Sequence, residues 1–305
     1  MNSTDITATP KVAVAMSVYN GSSHLQEQID SILNQVGVAV YLFARDDGST
    51  DESLDVLTRY EARGSLELLR GGNVGVVKSF LSLIAAIDTS FDYIALCDQD
   101  DVWRNDKLAR AVSLLVDKDQ SIPQLYCSEY IFCDANMNEV APSHLNQNGV
   151  NFTKLLYENV VSGNTIVMNR SLANAVINAG MDDVYCHDWW IALVAAALGE
   201  LTYDEYPSLY YRRTGANVSP TGNSGISLLK YRLKTFFQGR QLSCITHQLE
   251  KLDSVFGSAI SSNKSDVLNS FLHGRRIHKA CYPQRLRQKM SEEIALRLLF
   301  LIGLL

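Results

Sequence analysis

Between Lys11 and Val116 a short apolar run, a polar loop and an amphipathic stretch follow one another four times, and this alternation constrains the fold more than any other feature. The runs are Lys11–Val18, Val38–Ala44, Leu66–Leu69 and Tyr93–Cys97. Each reads as a strand. The stretches after them place apolar residues on one face, as in Leu25, Ile29, Ile32 and Leu33, in Leu54, Leu57 and Tyr60, and in Val77, Leu81, Ile84 and Ala85; the fourth helix spans about 106–116. Ser23-x-x-Gln26 and Ser49-x-x-Glu52 have the form of capping boxes at the first two helix starts. Strands alternating with helices build a mostly parallel sheet covered on both faces, with its βα loops at the carboxyl edge where open α/β folds bind ligands.

After Pro123 the alternation weakens: Leu125–Cys133 and Thr165–Met168 read as strands separated by a polar segment, so a mixed second half is expected. From Gly225 onward only helices are expected, over 228–237, 243–256, 265–277 and 285–304, with 222–225 as the linker. The expected division is a body at 1–224, with halves at about 11–120 and about 121–224, followed by a helical region at 225–305.

Charge follows the same division. The net charge is −6, yet residues 225–305 hold 13 Lys and Arg against 5 Asp and Glu, leaving the body at −14. An acidic body is unsuited to nucleic acid, whereas a basic tail suits an anionic headgroup layer or forms an ordinary solvated helical face. Arg285, Arg287, Lys289 and Arg297 lead into the apolar Leu298–Leu305, which is too short to span a bilayer. It is expected either to lie peripherally on the inner face of the cytoplasmic membrane or to dock on protein. No run approaches a membrane span, no secretory signal is evident, and the six cysteines lack paired spacing, so a cytoplasmic, reducing setting is expected.

The acidic residues concentrate after strands: Asp46 and Asp47, then Asp98, Asp100 and Asp101, then Asp188. Carboxylates crowded at one edge repel unless a cation or donor-rich ligand is present, and Asp98-x-Asp100 is a hard-oxygen arrangement suited to Mn²⁺ or Mg²⁺. Neither G-x-G-x-x-G after the first strand nor a P-loop occurs, which disfavours dinucleotide-binding oxidoreductases and P-loop NTPases. A pyrophosphorylase would need a glycine-rich loop after Val18, which is missing.

Taken in order, VAVAMSVYNG, RDDGSTD, GGNVGVVKSF, YIALCDQDDVWRNDKL and CHDWW resemble an inverting glycosyltransferase of family 2 with the GT-A fold. CDQDDVW, HDWW and YRRTGANVSP are most similar to the bacterial rhamnosyltransferase-like branch that builds O-antigen and related polysaccharides. The resemblance implies that Asp47 accepts the N3–H of a uracil or thymine ring, that Asp98 lies against the ribose and diphosphate, and that Asp100 ligates the metal. It implies Asp188 as the base, Asn73 and Lys78 near the donor, and Asn164 and Trp189 near the acceptor. It also implies that the half at about 11–120 is nucleotide-binding and the half at about 121–224 is the acceptor half. Asp46 is expected as a turn residue and His187 as a hydrogen-bonded neighbour of the base. The segment from Tyr211 resembles a loop that closes over the donor; Thr214 stands where relatives often carry a metal-binding histidine, leaving Arg212 or water to balance charge. The implied partners are a dTDP- or UDP-sugar, with dTDP-L-rhamnose favoured, and a glycan on a polyprenyl diphosphate. A UDP-hexose transferase and a non-catalytic sugar-nucleotide scaffold are the alternatives.

Overall fold

The computed structural model describes residues 9–213 and 240–305. The expected helix at 228–237, the linker at 222–225 and Thr214 lie outside the described residues. The four expected units are β1 (Lys11–Val18), α1 (Ser22–Leu33), β2 (Ala39–Asp46), α2 (Ser53–Ala62), β3 (Leu66–Arg70), α3 (Val76–Ala86), β4 (Tyr93–Cys97) and α4 (Lys107–Leu115), with the two-residue β5 (Val102–Trp103) inside the last loop. They are followed by β6 (Gln124–Cys133), β7 (Glu139–Pro142), α5 (Phe152–Leu155), a 3-10 turn at Gly163–Thr165, β8 (Val167–Asn169), α6 (Arg170–Asn178), α7 (His187–Leu198) and β9 (Glu200–Arg212).

All the strands join one sheet of order β3-β2-β1-β4-β8-β6-β9-β5, with β7 paired to β6. Its first half, β3 to β4, is wholly parallel. The second half is mixed: β8 runs antiparallel to both β4 and β6, whereas β9 is parallel to β6. Successive residues of β1 feed opposite faces, Ala13 and Ala15 one core and Val12, Val14, Met16 and Val18 the other. The second core is filled by α1, α2 and α4. The first holds α3, α6 and α7; residues 189–195 of α7 are all buried, as expected of a helix that is apolar around its whole circumference.

The C-terminal helices are α8 (Arg240–Phe256), α9 (Ser262–Leu272), α10 (Arg276–Ala280) and α11 (Met290–Ile302). Leu252, Leu268, Phe271, Leu296 and Phe300 pack into the same core as α7. Tyr157 meets Phe271 and Phe300 edge-on at 5.4 and 5.1 Å, and the Gln288 amide donates to Glu158 at 2.6 Å.

Neither capping box forms. The α1 helix starts two residues early, at Ser22, and the Gly21 and Ser22 amides donate to Ser53 Oγ (2.8 Å) and Asp51 Oδ2 (3.0 Å) of the neighbouring loop. Ser49 Oγ accepts from the Asn20 amide at 3.0 Å, and α2 begins only at Ser53. The side-chain oxygens of Ser49, Asp51 and Ser53 thus tie loop to loop, which a local pattern could not reveal. Burial works against the ionised Asp51, but hydrogen bonds from Ser53 and Ser22 outweigh it and hold the carboxyl at about 2.

Candidate active site

The four βα loops meet at the carboxyl edge and are stitched together by side chains. Gln99, the middle residue of the D-x-D, accepts from the Tyr19 amide (2.8 Å) and donates to the Tyr19 carbonyl (3.1 Å), copying a strand ladder between the first and fourth loops. It lies where a β-carbon on Gly21 would stand, 2.4 Å from Gln99 Cδ. Asp47 joins the second and third loops: it accepts from Arg45, from the Val74 amide at Oδ1 (2.9 Å) and from the Gly75 amide at Oδ2 (2.9 Å). Arg45 also donates to Gly72 O at 3.1 Å. Asp46 accepts from the Gly48 and Ser49 amides, the turn role expected of it. Gly48 has φ +80° and lies so close to the third loop that a β-carbon would sit 2.9 Å from the Asn73 amide.

The D-x-D follows β4 at the centre of the edge. Its third acidic residue, Asp101, is buried, accepts from Asn164 Nδ2 at 2.5 Å and faces the Arg212 amide at 3.3 Å. Beneath it Lys107, with no exposed surface, donates to Asn164 O (2.8 Å) and Ser208 Oγ (3.3 Å) and lies 4.5 Å from the centre of the Trp103 ring. Burial lowers the lysine to about 7, while Cys97, Asp101 and Asp98 oppose that shift. Arg212 closes the far side: Nε donates to Asp100 O at 3.0 Å, Nη1 to Ala135 O at 3.1 Å, and Nη2 pairs with Glu27.

Asp98 and Asp100 differ from these internally bonded groups. Among the described residues neither carboxylate takes a hydrogen bond from another residue; Asp100 has only its own backbone N–H. Burial, then the charges of Asp100 and Asp188, push Asp98 up to about 7 against the pull of Lys107. Burial also raises Asp100, with His24 of α1 and Arg212 opposing. Two adjacent carboxylates with elevated pKa values and open lone pairs fit a hard divalent cation, and Asp98 and Asp100 are the residues that would hold it. Asp188 lies within electrostatic reach of Asp98, in the first turn of α7, where the helix dipole favours a carboxylate. Its Oδ1 accepts from the Trp189 amide (2.7 Å) and Cys186 Sγ (2.8 Å), which leaves Oδ2 beside Gly163.

The remaining expected residues occupy varied positions. Asn73 is exposed and Asn73 Oδ1 accepts from the Gly75 amide at 3.2 Å. Lys78 is exposed, 4.0 Å from Asp182, on a cleft of about 490 Å³ lined by Val74–Lys78 and Met181–Val184. Both ends of the Asn164 side-chain amide are engaged internally, Oδ1 by Ser162 and Nδ2 by Asp101. Trp189 is buried and donates Nε1 to Leu155 O at 2.5 Å, so its ring belongs to the core. His187 is not the hydrogen-bonded neighbour expected: neither ring nitrogen has a partner among the described residues, and the ring stacks on Phe80 at 4.2 Å. Burial lowers its pKa, against the opposing charge of Asp188, which favours neutral imidazole. Sequence reasoning overlooked Arg45, Gln99 and Lys107. Their signal was position alone, in or beside the acidic loops.

A parallel first half, open carboxylates after its central strand and helices on both faces of the sheet are the architecture of a GT-A-like fold. The glycosyl transferase family 2 model matches residues 13–176, and the chain belongs to that family. The chain is 28% identical over 222 residues to the dTDP-rhamnosyl transferase RfbG of Shigella flexneri, covering 67% of this chain and 75% of that protein. It is 33% identical over 111 residues to an uncharacterized glycosyltransferase of Nostoc sp., covering 36% of this chain and 34% of the other. Among solved structures, S. aureus TarS 1-349 in complex with UDP-GlcNAc superposes with TM-score 0.59 at 15% identity, covering 96% of this chain and 81% of TarS 1-349. The mannosyltransferase PcManGT of Pyrobaculum calidifontis, in complex with GDP-Man and Mn²⁺, gives 0.54 at 15% identity, covering 97% of this chain and 75% of that one. At these identities the two structures speak to the fold.

Proposed function

We propose that this glycosyltransferase moves L-rhamnose from dTDP-L-rhamnose, with inversion, onto a polyprenyl-diphosphate-linked glycan such as an O-antigen unit at the cytoplasmic face of a membrane. The observation that carries the chemistry is the division among the acidic residues. Asp46, Asp47 and Asp101 each accept from internal donors, whereas among the described residues the carboxylates of Asp98 and Asp100 take no hydrogen bond from another residue, Asp188 Oδ2 takes none, and Asp98 lies within electrostatic reach of both Asp100 and Asp188. The similarity to RfbG supports rhamnose as the sugar.

In this reading Asp47 fixes the third loop and offers its remaining Oδ2 lone pair to the imide N–H of the base, with Asn73 beside it. Lys78, on the exposed rim, offsets diphosphate charge. Asp100 would hold Mn²⁺ or Mg²⁺, and Asp98, whose open carboxylate suits a cation as well as the ribose-side position implied by the sequence resemblance, would share it; when bound, the metal neutralises charge on the departing nucleoside diphosphate. Asp188 Oδ2 accepts the proton of the acceptor hydroxyl as that oxygen attacks the anomeric carbon from the face opposite the leaving group. Gly163 leaves room for that hydroxyl, since a β-carbon there would stand 3.2 Å from both Asp188 Cβ and His187 Nε2. Asn164 and Trp189 then shape the acceptor side from behind, through Asp101 and the core. Arg212 plays the same part for the donor side, holding the Asp100 backbone.

The test is a panel of dTDP- and UDP-sugars with Mn²⁺ or Mg²⁺, read as nucleoside diphosphate release. Release from dTDP-L-rhamnose above all other donors supports the assignment. Preference for a UDP-hexose overturns the donor, and tight nucleotide binding without any release would make the chain a scaffold.

A further inference from the structure

We propose that the outward face of α11, together with α10 beside it, is a docking surface for an anionic lipid bilayer. The inward face of α11 is committed to the fold through Glu293, Leu296, Leu299 and Phe300, all buried. The other face exposes Met290 (57%), Ile294 (54%), Leu298 (55%), Leu301 (46%) and Ile302 (61%), at a spacing that places them in one stripe along the helix. Docking on protein and contact with a membrane are therefore not alternatives for this segment, because each has its own face. Ile277 of α10, 53% exposed, extends the patch. Arg276 joins the two helices: its guanidinium lies where a β-carbon on Gly303 would be.

The chemistry of the partner follows from charge. Between Asp266 and Glu292 the chain has no acidic residue but carries Arg275, Arg276, Lys279, Arg285, Arg287 and Lys289. Of these, Arg275, Arg276 and Lys289 are exposed. Glu293, on α11 itself, is turned inward, accepting from the Leu286 and Arg287 amides at 2.9 and 2.8 Å and from Arg297 Nε at 2.7 Å. Arg297 is thereby occupied and is not a headgroup ligand. A second copy meeting stripe to stripe would bring two basic segments together, whereas an anionic headgroup layer neutralises them while the stripe enters the acyl boundary. With 13 residues, α11 is shorter than the bilayer core and lies in the interface plane. This surface would carry the transferase of the preceding section to a lipid-linked acceptor, but vesicle binding is measured without turnover, so the two readings fail separately.

The test is co-sedimentation of the full chain with phosphatidylglycerol-containing vesicles and with pure phosphatidylcholine vesicles. We expect binding to the anionic vesicles only, weakened by about 0.5 M NaCl. The double variant Ile294→Glu/Leu298→Glu, altered only at exposed positions, should lose at least tenfold in vesicle affinity and keep its nucleotide affinity. Arg275→Glu/Lys289→Glu should weaken anionic binding alike. Equal binding to both vesicle types, retention by the apolar variant, or a wild-type dimer that this variant dissociates would overturn the proposal. If the apolar variant fails to fold, the charge variant and the salt dependence decide.

Discussion

Replacing Asp188 by Asn separates its proposed chemistry from its structural role. Asparagine keeps an oxygen where Oδ1 accepts from the Trp189 amide and Cys186 Sγ, so the first turn of α7 stays capped. The lost negative charge forfeits about 0.3–1 kcal/mol of helix-dipole stabilisation. Part of that returns, because Asp188 is one of the two charges that elevate Asp98. The melting temperature should therefore move by only a few degrees. Transfer should fall by about 10²–10⁴, the range for losing a general base, or about 3–5 kcal/mol in the barrier. The same substitution should shift metal binding in a direction set by electrostatics. Mn²⁺ affinity should fall, because the Asp188 charge that holds a proton on Asp98 attracts a divalent cation more strongly still. The loss should be smaller at about pH 6, where easier ionisation of Asp98 offsets part of it, than at about pH 8, where Asp98 is ionised in both proteins. Nucleoside diphosphate release and Mn²⁺ titration calorimetry at the two pH values read both effects. Near-normal transfer would exclude Asp188 as the base, and an equal loss of Mn²⁺ affinity at the two pH values would refute its coupling to Asp98.

Asp100→Ala should abolish transfer and remove the metal dependence of nucleotide affinity, measured calorimetrically with and without Mn²⁺; persistence of that dependence would move the ligand elsewhere. Asp98 keeps its proton up to about pH 7 in the folded chain but only to its ordinary value, near 4, when unfolded. Its contribution thus falls as pH rises through that window, and Mn²⁺ should raise the melting temperature more at about pH 8 than at about pH 6. Lys107→Met should lower kcat at least tenfold, by freeing Asn164 and leaving Asp101 without its cation, while Lys107→Arg should not restore it, because the fork does not fit a site built around one Nζ. If Lys107 is merely structural, kcat per folded molecule will be unchanged. Gly163→Ala should reduce kcat with little change in donor KM, since its β-carbon crowds Asp188 and not the nucleotide loops.

Much of the parallel first half was legible from sequence because its information is local. The period of apolar residues in Lys11–Val18 and Tyr93–Cys97 matches β1 and β4 residue for residue. The acidic clusters fall at the carboxyl edge because any loop after a parallel strand must emerge there. The second half yielded less. No strand is expected from sequence at Glu200–Arg212, where β9 has a polar first half and takes its place by pairing with β6. Asp46, Asp47, Asp98, Asp100 and Asp101 are the same residue type within two loops, and no local pattern distinguishes those that carry the loops from those left open for a ligand. That division depends on which donors other segments bring: Val74 and Gly75 to Asp47, Asn164 to Asp101, and none among the described residues to the side chain of Asp98. The sequence by itself thus determined the alternating core and the edge where its polar loops gather, because period and strand direction are properties of the local chain. Only the tertiary structure decided which carboxylates remain open, because hydrogen-bond satisfaction depends on residues distant in sequence.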